Sequence, residues 1–532
     1  MLNRNRLFGL LVMCVALGLA SACDHGAGNG RGSSTRRSGG PEESKRNGAS
    51  EEEERGEGPG EDGDEGHGGE EEVVSIVLIP RDLPDDLQTH DAKTDDPRLR
   101  ELRYLVGRLA LSDSSTYWIE LKAPLDDNRL HAWGDNADGL LGNVTSNKND
   151  LGPHFAQVSA GAKHFCAIRK HADQTELMCG GSNDERQLGK AKAAQREMLP
   201  VIVSKFEIEA RGIGEQLKKK AGRSIAAKRE ILWEQIVASA YHNFALGTPK
   251  DGLQGLFFWG KFAGKTKKHP TLMPFGSDFA NISSCASHTC GIKNDGKLFG
   301  WGSNLNGQLQ TLTATSTKIA TPEAMQPALN FVMVAVGSTA ETKAKGSPPV
   351  PAAGFTVALS DRGELWSAGA NDQGQTIHPK GTVVSGLKKV VLPSKIGKVK
   401  FVSAGPDYVL VLAEDGKLYP FGNPAGPLGL GNNGPQDLGS PKHIKAKLIV
   451  NIRTATGVKP EEKEIEHWLV AKAGAYHACA VPDVDDIKDV AEIQFPVMCW
   501  GKNDKGQVNG APNASLVLAP ELAYSPTQFA HP

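Results

Sequence analysis

Trp301-Gly302-Ser303-Asn304, followed by Gly307-Gln308, ends a phrase that opens at Ile282 and whose reading decides the fold. Ile282 to Cys285 lead to His288, an apolar alternation passes through Cys290-Gly291-Ile292, and Asp295-Gly296 separates it from Leu298-Phe299. Asp-Gly between two alternating stretches is a hairpin signal, because the turn that matches strand twist needs positive φ. The phrase returns along the chain. Val158-Ser159-Ala160-Gly161 with His164 ends at Gly181-Ser182-Asn183, and Ala473-Gly474 with His477 ends at Trp500-Gly501-Lys502-Asn503 and Gly506-Gln507. Weaker copies hold Ala238 to His242 with Trp259-Gly260, Val334 to Gly337 with Gly369-Ala370-Asn371, and Ser403-Ala404-Gly405 with Phe421-Gly422-Asn423. A first copy, worn on its N-terminal side, ends at Trp133-Gly134-Asp135-Asn136.

Aligned on the tryptophan position, the copies fall at Trp133, Gly180, Trp259, Trp301, Ala368, Phe421 and Trp500. The shortest spacings, 42 and 47 residues, measure the bare unit, and the longer ones carry insertions. Short antiparallel strands in units of that size are propeller blades, and seven of them close into a ring. The expected fold is therefore all-β, a seven-bladed β-propeller over residues 75–532, with insertions at about 204–230, 338–353 and 446–468. These residues resemble the regulator of chromosome condensation repeat family, whose fold is a seven-bladed propeller. The resemblance covers about residues 100 to 525, and the bacterial β-lactamase inhibitory propeller is a secreted relative with the same sort of repeat. Neither resemblance fixes a function.

The region before the repeats has a different character. Arg4 and Arg6 precede an apolar stretch from Leu7 to Leu19, then Ala20-Ser21-Ala22-Cys23, which reads as a lipoprotein signal peptide over residues 1–22 with Cys23 as the acylated first residue. Residues 24–72 contain no Val, Ile, Leu, Met, Phe, Trp, Tyr or Cys, so residues 23–74 are expected to form a disordered acidic tether. From Asp24 to Val74 there are 15 acidic and 6 basic residues, a net charge of −9, hidden inside a whole-chain net charge of −2. No later apolar run approaches the roughly 20 residues needed to cross a bilayer as a helix. The expected location is the cell envelope, with the membrane reached through the lipid alone, and the chain is expected to be monomeric.

The remaining cysteines support export. Cys166 and Cys179 occupy facing positions of one hairpin, and Cys479 and Cys499 occupy the same positions of the last copy, so both pairs are expected to be disulfides. Cys285 and Cys290 are expected to form a third. A two-cysteine hairpin lacks the other ligands of a zinc site, so no metal is expected.

Residues that recur in blade after blade are structural, whereas a catalytic residue is needed once. By that reasoning His164, His242, His288 and His477, with Phe355 and Tyr408 at the same position, stabilise the blades, as do Trp133, Trp259, Trp301 and Trp500. Among unrepeated features, Ile213, Leu217, Ala221 and Ile225 recur every four residues and suggest an amphipathic helix. Its Lys218, Lys219, Lys220, Arg223, Lys228 and Arg229 are candidate contacts to an anionic partner. No P-loop, His-Glu-x-x-His or nucleophile elbow occurs. The leading expectation is a non-enzymatic envelope recognition module without cofactor, whose loop face binds a protein or glycan and not nucleic acid. The alternatives are an inhibitor of an exported enzyme, or a glycan hydrolase or lyase, for which Asp184 and Glu185 are the carboxylates to inspect.

Overall fold

The computed structural model describes residues 106–524 apart from internal stretches, of which 209–230 and 340–351 are the longest. The leader, Cys23, the tether, and Lys218, Lys219, Lys220, Arg223, Lys228 and Arg229 with their expected helix all lie outside the described residues.

The alternating stretches form strands that pair antiparallel with their neighbours in sequence, giving seven sheets arranged as the blades of a propeller. Blade 1 spans 109–150, blade 2 155–202, blade 3 231–272, blade 4 279–325, blade 5 331–389, blade 6 399–422 and blade 7 468–524. Strands within a blade are lettered A to D outward from the axis. Among the described residues blade 6 has three strands, and blade 3 gains a short fifth one, Glu207–Ile208, parallel to its outer edge. The insertion expected at 446–468 is a two-stranded hairpin, Ala446–Thr454 with Gly457–Ile465. Its inner side chains Ala446, Leu448 and Val450 are buried, while Lys459 to Glu464 lie exposed or nearly so.

Every recurring position has a fixed place. The glycine after the tryptophan position lies at or within two residues of the end of strand C in all seven blades, with φ from +88° to +122°. A side chain there would strike the start of strand B: a Cβ on Gly134 would meet Ser114 O at 2.3 Å. Opposite these glycines stand Ser115, His164, His242, His288, Phe355, Tyr408 and His477. Each histidine in this set reaches forward to the next blade. His164 Nε2 lies 2.9 Å from Asn243 Oδ1, His242 Nε2 2.9 Å from Ser284 Oγ, His288 Nε2 3.0 Å from Thr356 Oγ1, and His477 Nε2 2.7 Å from Thr116 Oγ1. Tyr408 does the same by donating to Gly474 O at 3.0 Å.

Three of the four recurring tryptophans reach backward, whereas Trp301 Nε1 is buried without a partner. Trp259 Nε1 donates to Gln187 O of blade 2 at 2.9 Å, and Trp500 Nε1 to Pro427 O of the chain leaving blade 6 at 2.7 Å. The ring closes by the same chemistry. At the junction of blades 2 and 3, Asn243 links His164 to Gln187 O, which also accepts from Trp259. At the junction of blades 7 and 1, Thr116 links His477 to Gln507 O, which also accepts from Trp133. Among the described residues no strand from one end of the chain completes the sheet at the other. An apolar core with Trp118, Trp133, Trp468 and Trp500 runs through that closing junction.

Two of the expected disulfides are present, Cys166–Cys179 and Cys479–Cys499, with Cα separations of 4.1 and 4.0 Å across strands B and C. The expected Cys285–Cys290 disulfide is absent, and both cysteines are free thiols. The register explains the difference. Cys290 faces Ser283 and Gly300, whereas Cys285 lies past the last ladder pair, Ser284 with Thr289. Their sulfurs contact other groups, Cys285 Sγ meeting His288 Nδ1 at 3.2 Å and Cys290 Sγ meeting Met325 Sδ at 3.9 Å.

Asn243→Ala leaves both the His164 ring and one bond of Gln187 O unmet in a dry junction, so it is expected to cost about 2–3 kcal/mol. A urea midpoint equal to that of the parent chain would refute the linking role. A second expectation concerns pH. Burial drives His164 down to about 4, against the hydrogen bond its ring donates to Asn243 Oδ1, and drives His242 and His477 to about 3. In the unfolded chain these rings titrate near about 6.5, so their contribution to stability is full above that pH and declines as pH falls toward the folded values. Urea midpoints between pH 7.5 and 4.5 are expected to fall, and less steeply in His477→Gln.

Candidate interaction face

Because strand B starts where strand C ends, the A–B and C–D turns of each blade lie side by side on one face of the ring. The C–D turns repeat a single construction. Asn183, Asn304 and Asn503 accept through Oδ1 from the backbone N–H five residues on, at 3.0, 2.8 and 2.9 Å. Gln187, Gln308 and Gln507 accept through Oε1 from the N–H two residues before, at 2.8 Å in each case. These side chains replace backbone partners that a tight turn lacks, so the turn is stiff without a strand around it.

On this rigid frame the exposed positions vary. The residue before the histidine is Lys163 in blade 2, Tyr241 in blade 3, Ser287 in blade 4 and Tyr476 in blade 7. Tyr241 and Tyr476 are 45% and 51% exposed, high for aromatic rings. Beside them, on the residue after the C-strand glycine, sit Lys261 and Lys502. Lys502 Nζ lies 5.3 Å from the centre of the Tyr476 ring, a cation–π contact. Lys261 Nζ lies 2.7 Å from Glu185 Oε1 of blade 2.

The residues singled out in the sequence fall into two groups. His164, His242, His288, His477, Trp133, Trp259, Trp301 and Trp500 are buried between blades. Asp184 and Glu185 lie on the turn face, but Asp184 accepts from Ser182 Oγ at 3.0 Å and Glu185 is paired with Lys261. They do not form a facing carboxylate pair. Among the described residues no group of three His, Cys, Asp or Glu side chains is placed to hold a metal ion, and no helix is long and apolar enough to cross a membrane. Tyr241 and Tyr476 were missed, although both precede a recurring histidine and so carried a readable signal.

A separate cleft of about 360 Å³ lies where the hairpin strand Ala446–Thr454 leaves blade 6, lined by Leu430, Lys395, Lys442, His443 and Lys445. Its positive charge is partly met by the hairpin itself. Lys445 pairs with Glu464 at 2.7 Å and with Glu466, which also meets His443 at 3.3 Å.

The family model of the regulator of chromosome condensation (RCC1) repeat matches residues 279–308, which span strands A to C and the C–D turn of blade 4. The chain is a seven-bladed propeller that carries an RCC1 repeat in blade 4. It is 24% identical over 309 residues to the probable E3 ubiquitin-protein ligase HERC6 of Homo sapiens, an alignment covering 56% of this chain. The chain thus spans only about a quarter of that relative, 26% of its length. In three dimensions it is similar to human WBSCR16, with a TM-score of 0.55 at 18% identity over 75% of this chain and 95% of the other. It is also similar to yeast RCC1 (Prp20) in its crystal structure with Kap60, with a TM-score of 0.53 at 16% identity over 85% and 92% of the two chains. At these identities the structures establish a shared fold.

Proposed function

We propose that this RCC1-repeat propeller is a non-enzymatic recognition module that grips a partner protein with the face bearing its A–B and C–D turns. The observation that carries the reading is the pair of half-exposed tyrosines, Tyr241 and Tyr476, each set on a position whose neighbours are locked by the repeat. Exposed aromatic side chains on a stiff frame lose little entropy when covered, which is why they dominate protein interfaces. The yeast neighbour, whose crystal structure has Kap60 bound, supports a protein as the class of partner.

The proposal extends to location. The leader and Cys23 would anchor the chain in a bacterial envelope, and the acidic stretch that follows would hold the ring away from the lipid surface. The disulfides Cys166–Cys179 and Cys479–Cys499 favour an oxidising compartment and agree with export.

In cross-linking capture from cell-envelope extract, Tyr241→Ala with Tyr476→Ala should lower recovery of the partner by about tenfold or more. Ile449→Ser with Val458→Ser, on the hairpin, should leave it unchanged. Equal recovery with both double variants overturns the assignment of the face. The anchor is tested apart from the face: in a bacterial host supplied with a palmitate analogue, the full chain should be labelled and Cys23→Ala should not. Label on both refutes lipidation at Cys23.

A further inference from the structure

The link between strand D of blade 5 and strand A of blade 6 is strongly basic. From Lys388 to Lys400 the chain carries five lysines and no acidic residue. Strand A starts where strand D ends, so the link lies on the side of the ring opposite the A–B and C–D turns. It is pinned in place: Val390 and Ile396 are buried in the core, and the Val390 N–H donates to Leu365 O at 2.8 Å. Between those anchors Val391 stands 87% exposed.

Lys395 of this link also lines the cleft at the base of the hairpin, together with Leu430, Lys442, His443 and Lys445. Gly429 and Gly431, both at positive φ, give the cleft a wall of bare backbone. No acidic side chain lines it, and its volume of about 360 Å³ is large enough for a small ligand or one unit of a polymer. Because Lys395 belongs to both features, the cleft opens onto the lysine-bearing link.

The surrounding acids are mostly committed. Glu364 is held by Lys389 at 2.6 Å, Asp415 by Lys417 at 3.4 Å, and Glu464 and Glu466 by Lys445. Lys388, Lys395 and Lys398 make no ion pair among the described residues, and the remaining acids of the two adjacent B–C turns are Asp361 and Glu414. Burial keeps the His443 imidazole below its ordinary value, and Lys417 and Lys445 act in the same direction against Glu466. The ring is therefore neutral at pH 7, and the charge of the cleft comes from its lysines. A concave site walled by one sign of charge concentrates the opposite sign.

Two features select among anionic partners. Neither the cleft nor residues 390–400 carry Phe, Tyr or Trp, the platforms on which the bases of single-stranded nucleic acid stack. Leu430 in the cleft and Val391 on the link instead offer aliphatic surface, which suits the C–H faces of a sugar ring and is wasted on a bare inorganic polymer. We propose that the cleft and the adjoining link bind an acidic polysaccharide, one anionic sugar lying among Lys395, Lys442, His443 and Lys445 and its neighbours running past Lys388 and Lys398. This site is separate from the tyrosines of the turn face, so the chain can hold a glycan and a protein at once.

Fluorescence anisotropy of labelled polygalacturonate, titrated with the full chain at low salt, reads the site directly, with neutral dextran as the blank. Polygalacturonate is expected to bind and dextran not. Lys395→Glu with Lys398→Glu, both exposed side chains, should weaken binding at least about tenfold with the circular dichroism unchanged. Lys265→Glu with Lys505→Glu makes the same change of net charge on the turn face and should leave binding unaltered. No binding of polygalacturonate overturns the inference, and so does equal loss in the two double variants, which would mark an effect of net charge alone. Polyphosphate or single-stranded DNA of equal charge bound as tightly as polygalacturonate also overturns it.

Discussion

The hydrogen bond that the B strands of blades 2, 3, 4, 6 and 7 send to the next blade is the constraint on which the ring depends. A four-stranded antiparallel sheet satisfies its own inner backbone but has no reason to stop at one neighbour or to meet it at a fixed angle. A buried histidine beside a buried threonine or asparagine supplies that reason, because either group alone in a dry junction would cost more than the pair returns. The positive-φ glycine opposite removes the side chain that would otherwise push the histidine away. Histidine, glycine, tryptophan and turn glutamine thus form one device, and losing any member exposes the needs of the others.

The closing junction shows how far this device reaches. Thr116 stands to His477 and Gln507 as Asn243 stands to His164 and Gln187, although the closing pair is separated by 361 residues and the other by 79. Side-chain contacts between blades 7 and 1 therefore join the two ends of the repeat array. The junction of blades 5 and 6 shows the tolerance of the scheme, since Phe355 packs against Gly337 with no polar bond of its own.

Much of this was legible in the sequence, because positions that must fit the same neighbours in every blade recur at the same place in the phrase. Blade number, the buried role of His164 and His477, and the two disulfides all followed from that recurrence. Where it ended, so did the reading. Cys285 and Cys290 were paired as positions on neighbouring strands, but Cys285 lies past Ser284 with Thr289, the last pair of the ladder that holds Cys290. The hairpin at Ala446–Ile465 belongs to no repeat, yet its alternation of buried Leu448 and Val450 with exposed Lys447 and Ile449 has the period of a strand. His288 fastens blades 4 and 5 through Nε2 while its Nδ1 meets Cys285 Sγ and Ser287 Oγ, where His164 and His477 leave Nδ1 without a partner.

The face proposed for recognition consists of residues that the device holds still. Tyr241 and Tyr476 are presented outward by the same histidine positions that bind the blades together, so the stiffness of the junctions and the quality of the face are linked. Hydrogen–deuterium exchange of Thr116→Val tests the account at its most exposed point, since valine keeps the shape of threonine and removes the hydroxyl between His477 and Gln507. Faster exchange is predicted in Ser115–Ile119 and His477–Pro482, with blades 3 to 5 unchanged. Exchange identical to that of the parent chain across the closing junction would contradict the claim that these bonds hold the ring shut.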